Sequence, residues 1–105
     1  MEIYRQGDVM LIKTKAPKPK EAKRQKSDNG RVVLAYGEVT GHAHALDAKT
    51  STLYAWDDNR LLVVKEPTAL VHEEHTAIPL KPGNYKVIQQ REWSVLEQMS
   101  RQVKD

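Results

Sequence analysis

At 105 residues the chain is long enough for one domain with one modest core and too short for two. It holds no cysteine, which excludes a disulfide framework and a thiolate metal site, and no apolar run approaches the roughly 18 to 20 residues of a membrane span. The net charge of +3 is local: residues 13–26, KTKAPKPKEAKRQK, carry seven of the 17 Lys and Arg against Glu21 alone, and elsewhere acids outnumber bases by 13 to 10.

The opening MEIYRQGDVM lacks the basic, apolar and small-residue order of a signal peptide, so a cytoplasmic protein with no membrane association is expected. The first predicted strand is GDVMLIKT, residues 7–14, whose consecutive Val9, Met10, Leu11 and Ile12 suit a strand covered on both faces. Residues 15–30 follow as a basic flexible loop, because Lys alternating with Ala and Pro has little to bury and extends by self-repulsion. SDNG at 27–30 turns the chain into RVVLAY, residues 31–36. Short β-type runs then recur as HAHALD (42–47), STLYAW (51–56), RLLVVKE (60–66) and TALVHEEHTAIPL (68–80, broken by Pro79), and KPGN at 81–84 has the Pro and Gly of a type II turn before YKVIQQREW. Seven or eight short strands bounded by turns define an all-β fold, either a small barrel or a jelly roll. The C-terminus alone has helical punctuation: Ser94 and Glu97 are spaced as a capping box, with Val95, Leu96, Met99 and Val103 on one face of a short helix.

All four histidines fall in two blocks, GHAH (His42, His44) and HEEH (His72, His75). Residues two apart on a strand face the same way, about 7 Å apart at Cα, so His42 and His44 can share one ligand. Alternation along a continuous strand pairs His72 with Glu74 on one face and His75 with Glu73 on the other. A set of His42, His44, His72 and Glu74 offers three nitrogens and one oxygen, suited to a divalent transition metal such as Zn, Fe, Mn or Ni with positions left for a small polar or anionic ligand. Without a metal, the same histidines with His75, Thr40 and Gly41 of the EVTG turn, and Arg91 would bind an anion, since turn amides form nests and arginine clamps phosphate or carboxylate bidentately. Arg91 enters by parity with Tyr85, Val87 and Gln89, a face passing from apolar to polar as at a barrel mouth, and Arg5, Gln6 and Asp8 are candidates for the same rim. Tyr36, Tyr54 and Trp56 are expected in the core or barrel wall, since the chain has no Phe.

HAH, a third histidine some thirty residues later and LKPGNYKV together resemble the cupins, small β-barrels whose metal is held by an HxH pair, a following glutamate and a histidine from a later strand. After His44, Asp47 is the only carboxylate near the glutamate's position. Over nearly everything outside the basic loop the chain is also similar to small bacterial and phage proteins that pair a GEVTGHAHA block with an HEEH block. The likeness to cupins implies a metal-binding pocket for a small polar molecule, and the second likeness implies no activity. The other expectation is a non-enzymatic accessory protein that binds or sequesters a phosphorylated small molecule such as a signalling nucleotide, with a homo-oligomer admitted. Nucleic acid is the weakest partner class, because the basic loop lacks interleaved aromatics. No phosphate-binding GK[ST] loop, dinucleotide glycine motif or serine elbow is present, and HEEH is one residue short of the zincin HExxH.

Overall fold

The computed structural model describes residues 2–37, 39 and 41–89. Ten strands occur in this span: β1 (Ile3–Gln6), β2 (Val9–Thr14), β3 (Lys23–Arg24), β4 (Arg31–Tyr36), β5 (Ala43–Asp47), β6 (Ser51–Trp56), β7 (Asn59–Val64), β8 (Thr68–His72), β9 (His75–Leu80) and β10 (Gly83–Gln89). They form two antiparallel sheets, one ordered β1-β2-β10-β7-β6-β3 and the other β4-β5-β8-β9. The fold is all-β as expected, but the sheets do not close into a barrel. The helix predicted from Ser94 lies outside the described residues.

The two sheets enclose one core. Val9 and Leu11 of β2, Tyr85 and Val87 of β10, Leu62 and Val64 of β7 and Leu53 of β6 meet Val32 and Leu34 of β4, Leu46 of β5, Leu70 of β8 and Leu80 of β9. Period-two alternation explains this on β2, where Val9 and Leu11 are buried while Met10 and Ile12 are only half-buried. The strand is therefore one-faced, contrary to the expectation of burial on both sides. The run from residue 7 also begins differently: Gly7 and Asp8 are the turn of a β1–β2 hairpin closed by the Gln6–Val9 pair. Gly7 takes φ +57°, a left-handed value that glycine adopts without steric penalty.

Tyr85 is the core's aromatic, fully buried, with Tyr4 edge-on at 6.1 Å between ring centroids. Its hydroxyl donates to the Lys81 carbonyl at 2.6 Å, so the buried phenol is satisfied. Tyr36 is 64% exposed and belongs to no core, and Tyr54 and Trp56 are half-buried. Within the basic segment, β3 pairs with Ala55 and Tyr54 of β6, the Gln25 amide donates to the Leu53 carbonyl, and Lys18 lies 5.1 Å from the Tyr54 ring centroid. Part of the segment expected to be a flexible loop is thus an edge strand.

Side chains stitch the open corners where β1 approaches β9 and β4 approaches β6. At the first, the Gln6 carboxamide donates to the Leu70 carbonyl at 2.9 Å and to the Thr76 carbonyl at 3.0 Å. Leu70 precedes a register shift in β8, and the shift leaves its carbonyl for Gln6 to cap. At the second corner, Arg60 donates to the Leu34 carbonyl. Among the described residues no helix is long and apolar enough to cross a membrane.

Candidate functional site

Three connections build the site: the Gly7–Asp8 turn, Gly37 and His42 between β4 and β5, where the Gly37 N–H donates to the His42 carbonyl, and the Glu73–Glu74 turn between β8 and β9. The HEEH block is a hairpin, with His72 and His75 directly paired across it. Alternation along one strand therefore does not separate them, and both rings lie on the same side. The rings of His72 and His75 are 4.7 Å apart between centroids, His44 lies 4.3 Å from His72 and 5.7 Å from His75, and His42 meets His72 edge-on at 6.0 Å. The structure thus brings together all four histidines that the sequence singled out.

His44 is the buried member, 3% exposed. Its Nδ1 lies 2.9 Å from the Gln6 Oε1 atom, and its Nε2 lies 3.0 Å from Asp8 Oδ1. Because Gln6 directs its NH2 group at two carbonyls, its Oε1 is bound to be the acceptor, and the ring proton sits on His44 Nδ1. Burial pushes the His44 imidazole below its ordinary pKa; His72 and His75 push the same way, and Asp8 opposes them from a side chain 45% exposed. When the ring is neutral its Nε2 lone pair faces a carboxylate oxygen; when it is charged, Nε2–H donates to Asp8. Two lone pairs at 3.0 Å repel unless a proton or another cation stands between them.

His72 is held in the opposite sense. Its Nδ1 accepts the Glu74 backbone N–H at 3.0 Å. His42 Nδ1 is a buried atom without a hydrogen-bond partner, 3.3 Å from Glu74 Oε2. Glu73 clamps the hairpin onto β5 by accepting the Ala43 N–H at 2.9 Å, and that bond holds its carboxyl below the usual range. Two glycines make the crowding possible. A Cβ on Gly7 would stand 2.8 Å from His75 Nε2 and 3.0 Å from His44 Cε1, and one on Gly37 would stand 3.2 Å from His42 Cβ and 3.4 Å from His72 Nε2.

Among the described residues no group of three or more His, Asp or Glu side chains is placed to hold a metal ion. Asp47, in the position where cupins carry glutamate, is exposed and caps the Lys49 N–H instead. Gly41 has φ +87° and open space around it, while Thr40 and Arg91 lie outside the described residues. The sequence missed the central role of the Gln6-Gly7-Asp8 turn and placed Gln6 and Asp8 only at a rim. A Gly-Asp pair between two short apolar runs was the available signal, since that is a hairpin signature.

A two-sheet antiparallel domain with four histidines gathered where three hairpins meet is the class of protein that these features define. The chain belongs to the family described as a domain of unknown function (DUF8820), which matches residues 5–90 and so spans Gln6 to Asp8 and every histidine. No curated protein and no solved structure matches it.

Proposed function

We propose that this end of the protein binds a divalent transition metal, which in turn carries a small polar or anionic ligand. The observation that carries the proposal is the 3.0 Å approach of His44 Nε2 to Asp8 Oδ1, with Gln6 keeping the ring proton on the far nitrogen. A metal-bound imidazole ordinarily donates its other N–H to an oxygen, and Gln6 supplies that oxygen. Two donors each about 2.1 Å from one metal are about 3.0 Å apart at the right angle of an octahedral ion and about 3.4 Å apart in a tetrahedral site, so the separation suits Fe, Mn or Ni before Zn. His75 is the third ligand in this proposal. It is exposed, and its Nε2 already overhangs Gly7 beside His44, so a side-chain rotation completes the set. Zn, Fe, Mn and Ni all accept such nitrogen and carboxylate donors.

Anion binding by the histidines alone is the weaker proposal. Asp8, Glu73 and Glu74 each reach a histidine or its neighbour, so the surroundings attract cations and repel a phosphorylated molecule. Protein purified without a histidine tag, analysed for metal content and titrated with Co2+ by visible absorption, tests the proposal. One ion per chain is expected, lost in His44→Ala and in Asp8→Asn. A protein that retains no metal and takes up none of Zn2+, Co2+, Ni2+, Mn2+ or Fe2+ refutes it.

A further inference from the structure

The outer face of the six-stranded sheet differs in charge from the histidine end. Alternation turns Leu11, Leu53, Leu62 and Tyr85 into the core, so Ile12, Tyr54, Leu61 and Lys86 point outward. One row of this face runs through Ile3, Ile12, Lys86, Leu61, Tyr54 and Arg24, one residue from each strand, and is about 24 Å long by strand spacing. Trp56, two residues beyond Tyr54, shares the face. None of the six strands contains an Asp or Glu, whereas Arg5, Arg24 and Lys86 on this face are exposed. Asp57 and Asp58, in the turn after Trp56, bound the cationic area.

The basic segment is laid across the same face. Asn84 of β10 donates to the Ala16 carbonyl at 3.3 Å, Lys18 stands 5.1 Å from the Tyr54 ring centroid, and β3 then pairs along the edge of β6. Residues 15–22 therefore cross from β2 over β10 and β7 to β6 as a strap. Exposed Lys15, Lys18 and Lys20 join Arg24 and Lys86 there, with Glu21 as the strap's single acid. The segment has no aromatics of its own, which makes nucleic acid the weakest partner class in the sequence. Folding supplies them from β6.

We propose that the strap and the outer face beneath it bind single-stranded nucleic acid, with phosphates on the lysines and Arg24 and unpaired bases on Tyr54 and Trp56. Cations alone accept any polyanion, but half-buried aromatic rings among them favour one with planar groups to stack. An acidic peptide brings none, and a duplex hides its own. A base stacking on Tyr54 takes the place of the Lys18 ammonium, which then meets a phosphate. Because the strap is pinned at Ala16, Lys18 and β3, less ordering is left to binding. The surface uses no residue of the histidine cluster, so it stands or falls apart from the metal proposal.

Fluorescence anisotropy of an end-labelled oligothymidine of about 15 nucleotides, with untagged protein, tests the proposal. Five phosphate contacts at about 0.7 each give a log–log salt slope near −3.5, so affinity should fall about 100-fold between about 50 and about 200 mM salt. Tyr54→Leu and Trp56→Leu are each expected to weaken binding at least about fivefold at either salt concentration. The triple variant Lys15→Gln/Lys20→Gln/Lys86→Gln should flatten the slope by about 2, and Lys86→Gln alone by about 0.7 should the triple variant melt early. Lys49→Gln/Lys65→Gln/Lys81→Gln, equally exposed and equal in charge change, should leave it within about 0.5 of wild type. Unlabelled duplex and polyglutamate should compete at least about tenfold more weakly than unlabelled oligothymidine. No binding at low salt overturns the proposal. So does competition by polyglutamate or duplex as strong as by oligothymidine, which would make the face a charge patch only. Wild-type affinity in both aromatic variants, or equal slope changes in the two triple variants, overturns it as well.

Discussion

Gly7→Ala is the most informative single substitution in this protein. Two costs arise at once, and a second glycine separates them. At φ +57° an alanine accepts left-handed backbone strain of about 1 kcal/mol, partly offset by its lower freedom in the unfolded chain. Its Cβ would also stand 2.8 Å from His75 Nε2 and 3.0 Å from His44 Cε1. His75 is exposed and can swing away, but His44 is buried and held by Gln6 and Asp8 on its two nitrogens. Relieving that contact therefore moves a fixed ring, an overpacking cost of about 1–3 kcal/mol. Gly30 has φ +77° and nothing within 4 Å of its Cβ position, so Gly30→Ala carries the backbone strain alone. The two variants are expected to differ by about 1–3 kcal/mol in urea denaturation at unchanged m value, or roughly 5–20 °C in Tm for a domain of this size. Gly7→Ala should in addition bind Co2+ more weakly, while Gly30→Ala should not. Equal stability losses in the two variants would show that no histidine lies over the Gly7 turn, and the site as described here would have to be abandoned.

Four further outcomes follow from the same contacts. Gln6→Leu strips partners from the Leu70 and Thr76 carbonyls and from His44 Nδ1, so chemical denaturation should show a loss of about 3 kcal/mol or more; a loss under about 1 kcal/mol contradicts the stitching role. Tyr85→Ala should cost about 3–5 kcal/mol, and Tyr85→Phe, which drops only the bond to the Lys81 carbonyl, about 1 kcal/mol; similar values for both would place the ring outside the core. His44 has a folded pKa depressed from 6.5, so the unfolded chain takes the proton first: metal-free stability should be full above about pH 6.5 and fall as the pH drops toward the depressed value, and His44→Asn should flatten that slope. Replacing residues 16–26 by a Gly/Ser linker removes β3 and the Lys18–Tyr54 contact, with an expected loss of about 1–2 kcal/mol by thermal melting; no loss at all would mean that β3 contributes nothing to the sheet.

Strand content was legible where local chemistry and tertiary structure agree. RVVLAY and STLYAW are strands over the same residues, 31–36 and 51–56, that β-branched composition and flanking turns mark out. Disagreement begins where an apolar run crosses a turn or a turn lacks its usual residues. Residues 7–14 read as one strand because Gly7 and Asp8 adjoin four apolar residues, and β1 before them has only Ile3 and Tyr4 to announce it. HEEH has neither glycine, asparagine nor proline. Its turn is held instead by the Glu74 N–H on His72 and by Glu73 reaching Ala43, 30 residues away in the chain. Such a bond carries no local signature. For the same reason β3 was invisible: a lysine and an arginine pair with β6 because the edge was free, against their propensity.

The site divides in the same way. Four histidines in two blocks announce themselves in the sequence, but their grouping is a matter of pairing. Alternation along a strand sends residues three apart to opposite faces, whereas a two-residue hairpin sets them side by side, so His72 and His75 meet because a turn falls between them. The acid that completes the surroundings could not be found by spacing at all. Asp47 lies near the right distance along the chain and its side chain caps a turn amide; Asp8 lies 36 positions before His44 and reaches it because Gln6 pins β1 to the corner of the other sheet. Gln6 is therefore both a seam between sheets and the group that sets the His44 tautomer. The two roles are inseparable, since the same pair of carbonyl bonds that closes the corner turns the Gln6 oxygen toward the imidazole. Disturbing the corner should change the chemistry of the site without touching any histidine.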